Sequence, residues 1–303
     1  MAENPPLASL LLVSYNSRDL LLENLAKHTK YPFEIIVVDN DSKDNTKEAV
    51  EKAFPSVTFI ANPKNVGYGV ANNIAAKHAK GKYLVLLNAD AFIEEDAVYE
   101  AIKVLETRRD VGLVGGMLVG LNGELQPSAR QFPCLKNRLI QRSGFGDKYK
   151  KSVFFGSAET SWADPNVPQE VDWVPTAFAV LTHELYDKIG GFDEKLFLYY
   201  EDIDLCRKVK NISLKVLYWP LIKVVHIGGQ SSKSDKLLSF EVESALYYHN
   251  KHEGSWGVFK YLLAEGGWQF ARYLKNSLPS GEKTKKEEAK KIMKELYAHT
   301  VRM

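Results

Sequence analysis

Three carboxylates stand within four positions at Glu201, Asp202 and Asp204, in the stretch Phe197-Leu198-Tyr199-Tyr200-Glu201-Asp202-Ile203-Asp204-Leu205-Cys206-Arg207. Aromatic and apolar neighbours lower the local dielectric, and paired acids then raise one another's proton affinity. That combination suits a general base. The plainer alternative is a helix start rich in acids, placed there by the helix dipole. The stretch alone leaves the two readings even.

Other polar clusters stand upstream, each after an apolar run. Ser14-Tyr15-Asn16 follows Leu10–Val13, Asp39-Asn40-Asp41-Ser42 follows Ile35–Val38, and Asn88-Ala89-Asp90 follows a strand read at Lys82–Leu87. Short apolar runs of this kind read as buried strands. Helical spacing lies between them, at Asp19–Lys30, Asn45–Phe54 and Gly67–Lys80, with a further strand at Val57–Ala61. Alternating strands and helices predict an α/β fold with a mainly parallel sheet. Ligands of such sheets bind at the carboxyl ends of the strands, where all three clusters fall.

Further along, Glu94–Arg108 reads as a helix, Val111–Leu118 as a strand and Asn122-Gly123 as a hairpin turn. Residues 130–168 are poor in periodicity and read as a long loop over a site. Val171–Leu181 reads as one strand, His183–Ile189 as a short helix, Val216–Pro220 and Lys223–His226 as two extended pieces, and Phe240–Lys251 as a helix.

Composition narrows the function classes. The 303 residues carry 40 Lys and Arg against 38 Asp and Glu, a formal net charge of +2. That balance makes no global electrostatic case for nucleic acid. Two cysteines, Cys134 and Cys206, do not make a disulfide framework and fit a reducing, cytoplasmic compartment. Residues 1–9 lack the pattern of a signal peptide, and no apolar run is long enough to span a bilayer. No G-x-G-x-x-G follows the first strand, which disfavours a dinucleotide-binding dehydrogenase.

The ordered motifs include Ser14-Tyr15-Asn16, Val37-Val38-Asp39-Asn40-Asp41-Ser42, Asn65-Val66-Gly67-Tyr68-Gly69-Val70-Ala71-Asn72-Asn73 and Leu86-Leu87-Asn88-Ala89-Asp90. Gly190-Gly191-Phe192-Asp193-Glu194 and Tyr200-Glu201-Asp202-Ile203-Asp204-Leu205 follow. Together, over roughly residues 8–252, they resemble a family 2 glycosyltransferase of the rhamnosyltransferase type. The resemblance implies a GT-A, Rossmann-like fold over residues 1–252, with residues 253–303 as a C-terminal helical extension. It also implies inverting transfer from a dTDP- or UDP-sugar to a saccharide or polyprenyl-linked acceptor in cell-surface polysaccharide synthesis.

The resemblance further assigns roles. Asp39 would bind the pyrimidine base, with Asp41, Ser14, Tyr15 and Asn16 lining the same pocket; the alternative for Asp39 is a turn-forming role. Asn65, Gly67, Tyr68 and Asn73 would shape the nucleotide and sugar side, or simply form a loop-to-helix junction. Asn88-Ala89-Asp90 matches the Asp-x-Asp metal motif with Asn at its first position. Asp90 would bind Mg²⁺ or Mn²⁺, Asn88 would assist on the donor side, and His226 would either ligate the metal or serve structure. Arg130 would contact the diphosphate or lie at the surface. Asp202 would be the general base, with Trp173 and Glu201 on the acceptor side. One departure stands beside them: Trp173-Val174-Pro175-Thr176-Ala177 has Thr where the family commonly has Gly before Ala.

Residues 250–303 carry eleven Lys and Arg against six Asp and Glu. Their aromatic residues, including Trp256, Phe259, Phe270 and Trp268, fit an interfacial helix on the inner face of an anionic membrane. They fit a terminal helix packed on the domain equally well. A non-catalytic nucleotide-sugar scaffold and a sugar nucleotidyltransferase stand as rival functions.

Overall fold

A computed structural model describes residues 5–160, 163–228 and 235–301. The chain runs through β1 (Ala8–Ser14), α1 (Arg18–His28), β2 (Glu34–Asp39), α2 (Thr46–Ala53), β3 (Thr58–Ala61), α3 (Tyr68–His78) and β4 (Tyr83–Asn88). Next come β5 (Ala91–Phe92), α4 (Glu95–Thr107), β6 (Val111–Val119), α5 (Leu135–Ser143), α6 (Phe145–Lys148) and a 3₁₀ turn at Ser157–Glu159. The chain closes with β7 (Gln169–Val171), β8 (Phe178–Thr182), α7 (His183–Lys188), α8 (Glu201–Asn211), β9 (Lys215–His226), α9 (Asp235–Lys275) and α10 (Lys283–Val301).

The apolar runs form strands because both faces of the sheet are covered. Leu10 and Leu12 of β1 enter one core with Ile35, Val37, Val85 and Leu87. Leu11 points the other way, into a second core with Ile36, Val38, Leu84 and Leu86. Strands buried on both faces are continuously apolar rather than alternating. The sheet has nine strands in the order β3-β2-β1-β4-β8-β6-β9-β5, with β7 on β9. Its first half is parallel, as expected, while β4–β8, β6–β8, β5–β9 and β7–β9 are antiparallel. The sheet is therefore mixed.

Register places the polar clusters side by side. Ser14 lies opposite Asp39, and Val13 opposite Asn88. The β5–β9 pairing sets Ala91 against His226.

Four local expectations change. Residues 130–168 hold α5, α6 and a 3₁₀ turn rather than a plain loop. Val171–Leu181 is two strands, because Pro175 cannot donate to a ladder. The two pieces after residue 215 form one strand, with an irregular register around Pro220. The Asn122-Gly123 turn closes a single Val119–Leu125 bridge rather than a full hairpin.

The chain divides into two compact units. One comprises Met1–Arg130, Asp164–Phe197 and Glu201–Ser231, and the other Gln131–Ala163, Leu198–Tyr200 and Ser232–Met303. The second unit therefore takes in more chain than the expected 253–303 extension. The 252/253 break itself falls inside α9, beside a kink at Gly254, where φ is 64°. The helical unit packs Val242, Ala245, Leu246, Tyr261 and Leu296 with Tyr200. Glu265, nearly inaccessible, receives two hydrogen bonds from Arg142 at 2.9 and 2.8 Å and lies 3.0 Å from Arg138. Among the described residues no helix is long and apolar enough to cross a membrane.

Candidate active site

The ends of β1 and β2 are tied together by polar side chains. Ser14 is buried, its carbonyl accepting the Asn40 N–H at 2.8 Å. Asn16, at φ 50°, donates its N–H to Ser42 Oγ and accepts the Lys43 N–H on Oδ1. Tyr15 is exposed. Asp39 accepts the Ser42 hydroxyl at 2.5 Å and the Ser42 N–H at 2.9 Å, so its carboxylate shapes this turn. Each of its oxygens retains a second lone pair. Asp41, at φ 66°, pairs with Lys43.

The segment before and along α3 is occupied by structural duties. Asn65 accepts the Gly67 N–H in a local turn. Gly67 sits at φ 89°, and a Cβ there would lie 2.4 Å from the Phe197 carbonyl oxygen. A Cβ on Gly69 would meet Phe192 Cβ at 2.9 Å. These glycines thus permit close packing against residues 192–197. Asn73 donates to Phe192 O and accepts from Phe192 N–H and Tyr186 O–H, which fixes its amide on the Gly191–Phe192 corner and leaves one N–H of Nδ2 beyond these bonds. Tyr68 is different: its hydroxyl donates to Thr176 O at 3.0 Å, beside the acid cluster.

Asp90 and His226 come together. Asp90 Oδ1 lies 3.5 Å from His226 Nε2, and Oδ2 accepts the Gly228 N–H at 3.1 Å. Burial pushes the Asp90 carboxyl up, but His226 and the Gly228 N–H outweigh it and hold it below the ordinary range. Gln126 Nε2 donates to His226 O at 2.8 Å, which orients the amide so that Oε1 faces His226 Nδ1, also at 2.8 Å. An amide oxygen only accepts, so Nδ1 carries the proton.

Two residues that sequence reasoning missed position Asp90 from beneath. Asn24 Nδ2 donates to the carbonyls of Ala91 at 2.7 Å and Ala89 at 3.3 Å. His28 donates from Nδ1 to Asn24 Oδ1 at 2.6 Å and accepts the Ile93 N–H on Nε2 at 3.3 Å. Burial lowers His28 to about 4, which keeps this neutral tautomer in place. Their signal was the polar pair four apart on the buried face of α1, with Leu21 and Leu25.

In the opening acid cluster Glu201 and Asp204 are buried and Asp202 is partly buried. Asp202 Oδ1 accepts the Thr176 hydroxyl. Burial raises Asp202, against hydrogen bonds from Thr176 and the charges of Arg130 and His226. Glu201 is 7% exposed, and its Oε2 has no hydrogen-bond partner. Burial first, then the Asp202 charge, raises Glu201 well above the usual carboxylate range. Asp204 is inaccessible and lies 3.7 Å from Lys208. Tyr199 and Tyr200, both at φ 66°, lead into the cluster in a region costly for bulky residues. Arg130 and Trp173 exchange main-chain hydrogen bonds, and the guanidinium lies 5.1 Å from the indole centroid. Arg130 thus lies against Trp173, and its charge reaches Asp202. Cys206 is inaccessible, and burial pushes its thiol up to about 12.

The model of the family described as "Glycosyl transferase family 2" matches residues 9–162, just over half of the chain. The chain belongs to glycosyl transferase family 2. It is 23% identical over 249 residues to an N-acetylglucosaminyl-diphospho-decaprenol L-rhamnosyltransferase of Mycobacterium tuberculosis, covering 78% of this chain and 80% of that one. It is 25% identical over 257 residues to the rhamnosyltransferase WbbL of Escherichia coli, covering 79% and 91% respectively. Among solved structures it resembles the mannosyltransferase PcManGT of Pyrobaculum calidifontis in complex with GDP-Man and Mn²⁺. That match has a TM-score of 0.56 and 17% identity, over 99% of this chain and 87% of the other. It also resembles GalNAc-T7 with UDP, GalNAc and Mn²⁺, at a TM-score of 0.59 and 17% identity, over 99% of this chain and 58% of that one. The fold of this glycosyltransferase is GT-A.

Its donor set fits a divalent cation in part. With Nδ1 turned to Gln126, Nε2 is the ring nitrogen that faces Asp90 Oδ1, at 3.5 Å. A carboxylate oxygen and a ring nitrogen facing one another can share a proton or, with the nitrogen deprotonated, a metal cation. Among the described residues, no three His, Cys, Asp or Glu side chains gather into a complete metal cage. A site of one carboxylate and one imidazole is the kind that leaves room for substrate phosphates to complete the shell.

Proposed function

We propose that this glycosyltransferase is inverting and metal-dependent. It moves a sugar, rhamnose as the first candidate, from a dTDP- or UDP-sugar to a lipid-linked saccharide in cell-surface polysaccharide synthesis. The observation that carries the reading is the partly buried Asp202 carboxylate, bonded to Thr176 and within electrostatic reach of Arg130 and of His226, the partner of Asp90. In this reading Asp202 serves as base, Arg130 as the cation for phosphate and Asp90 with His226 as a half-built metal site. The relative named for rhamnosyl transfer to a diphospho-decaprenol sugar supports the choice of sugar and acceptor.

In this reading the lone pairs left on Asp39 receive the imide N–H of the base, with Ser14, Tyr15, Asn16, Asp41 and Asn88 around the donor. Asp90 and His226 hold Mg²⁺ or Mn²⁺. A cation there offsets charge on the departing nucleoside diphosphate. Arg130 adds positive charge to the diphosphate, and Trp173 and Glu201 border the acceptor. Asp202 takes the proton of the acceptor hydroxyl as its oxygen attacks the anomeric carbon. The bond to the diphosphate breaks in the same displacement, so the anomeric configuration inverts.

The helical unit supports membrane docking. Trp256, Phe259, Leu263, Phe270 and Leu274 recur at helical spacing along α9, and each is more than half exposed. Trp256 and Phe259 stack at 5.2 Å. Phe145, Val153 and Phe154 of the same unit are exposed as well. Apolar surface on this scale, beside the lysines of α10, suits an anionic bilayer on the cytoplasmic side, where a polyprenyl-linked acceptor would lie.

The test is turnover of dTDP-, UDP- and GDP-sugars against lipid-linked saccharides, with and without EDTA. Turnover of a dTDP- or UDP-sugar, lost in EDTA and restored by Mn²⁺ or Mg²⁺, is the expected result. Donor binding without turnover across the acceptor panel would instead favour a scaffold. Asp202→Asn should keep donor affinity and lose transfer by roughly 10²-fold or more.

A further inference from the structure

Thr176 occupies a more constrained position than a loop residue usually does. It is 1% exposed, between Val174 at 0% and Ala177 at 5%. Its own carbonyl accepts the Tyr68 hydroxyl, and the Ala177 carbonyl accepts the Asn88 N–H at 3.1 Å. Leu87 pairs with Phe178 in the adjoining ladder. The residue is thus fixed from both sides, against the strand that leads to Asp90. A threonine hydroxyl has one proton to donate, and here it goes to Asp202 Oδ1.

We propose that Thr176 is a positioning residue for Asp202: its hydroxyl holds Oδ1 and leaves Oδ2 to take the proton of the acceptor hydroxyl. This rests on the reading of Asp202 as the base. The acceptor oxygen forms its bond to the anomeric carbon, the nucleoside diphosphate leaves with the electron pair, and the proton goes to Oδ2. The hydroxyl does two things. It selects one rotamer of a short side chain, so that the free oxygen points the same way in every turnover. It also stabilises the carboxylate form, because a hydrogen bond to a charged acceptor is stronger than one to a neutral group. Burial and Glu201 oppose that form, whereas Arg130, His226 and the Thr176 main chain favour it. Tyr68 and Cys206 also lie within electrostatic reach of Asp202, and both stay neutral. A base working near neutral pH needs this kind of balance.

The experiment is the pH profile of kcat/KM for Thr176→Val, Thr176→Ala and Thr176→Ser, beside Asp202→Asn. Valine and alanine should move the acid limb up by about one pH unit and lower the plateau roughly tenfold, with donor affinity unchanged. Serine should restore most of both. A limb at its original pH in valine and alanine variants with native melting curves overturns the role of Thr176. If Asp202→Asn retains transfer, the base assignment itself falls, and the Thr176 proposal falls with it. An inactive Asp202→Asn with unmoved Thr176 profiles removes only the positioning role. A valine variant that fails to fold leaves the alanine–serine pair, which differ by one hydroxyl, to decide.

Discussion

Asp90 Oδ1 lies 3.5 Å from His226 Nε2, and Gln126 accepts the Nδ1 proton on the far side of the same ring. The imidazole is therefore oriented before any ligand arrives. A partner of this type raises the basicity of a ligating nitrogen and fixes its tautomer.

Gln126→Leu should weaken Mn²⁺ binding by roughly 10-fold to 100-fold. Titration of Mn²⁺ followed by its electron paramagnetic resonance signal reads this without any turnover. Unchanged affinity would mean that His226 needs no such orientation.

Glu201 provides a pH signature. Its folded carboxyl is raised by burial and by Asp202, so the folded state holds a proton that the unfolded chain releases above its ordinary carboxylate range. The sign follows: burial is harmless in acid and becomes destabilising as pH rises above about 4.3. Glu201→Gln should leave the melting temperature nearly unchanged at pH 4 and raise it at pH 8. An equal shift at both values would point to packing rather than charge.

His28 has the opposite sign. Burial lowers it to about 4 in the folded protein, so the unfolded chain binds a proton first as pH falls below about 6.5. Stability is full above that value and is lost down through pH 4. Urea unfolding of His28→Gln should show a shallower loss between pH 7 and pH 4.5 than the parent. His249, also lowered to about 4, should keep part of the slope. Identical slopes would remove His28 from the account.

Membrane docking is tested on α9. Trp256→Asp with Phe259→Asp should reduce co-flotation with anionic vesicles at least tenfold and leave donor binding intact. Binding that persists, or that is equal on zwitterionic vesicles, argues against an anionic bilayer as the partner of that face.

Much of this was legible in the sequence. Leu10–Val13, Ile35–Val38 and Leu84–Leu87 announce strands because a sheet covered on both faces demands unbroken apolar runs. The polar residues that end them fall side by side at the strand ends. The helical segment Leu135–Ser143 was not legible, since its buried face holds only Asn137 and Ile140. What anchors it is Arg138 and Arg142 on Glu265, a charge pairing across more than a hundred residues that no hydrophobic period reveals. The glycines at 67 and 69 were visible as glycines, but their partners Phe197 and Phe192 were not.

The sequence by itself determined the alternating order of elements from β1 to β4, the chemical types at the strand ends and the acid cluster at 201–204. Local propensity and hydrophobic period are properties of neighbouring residues, so they can be read along the chain. Only the tertiary structure decided which of those groups meet. The antiparallel Ala91–His226 register delivers the imidazole to Asp90. The end of β8 delivers the Thr176 hydroxyl to Asp202, 26 positions away. The same burial separates Glu201, which it drives towards the neutral acid, from Asp202, which the Thr176 hydrogen bonds and the Arg130 charge hold nearer to the carboxylate. Proton affinity depends on what surrounds a group in space, and that surrounding is supplied by the fold.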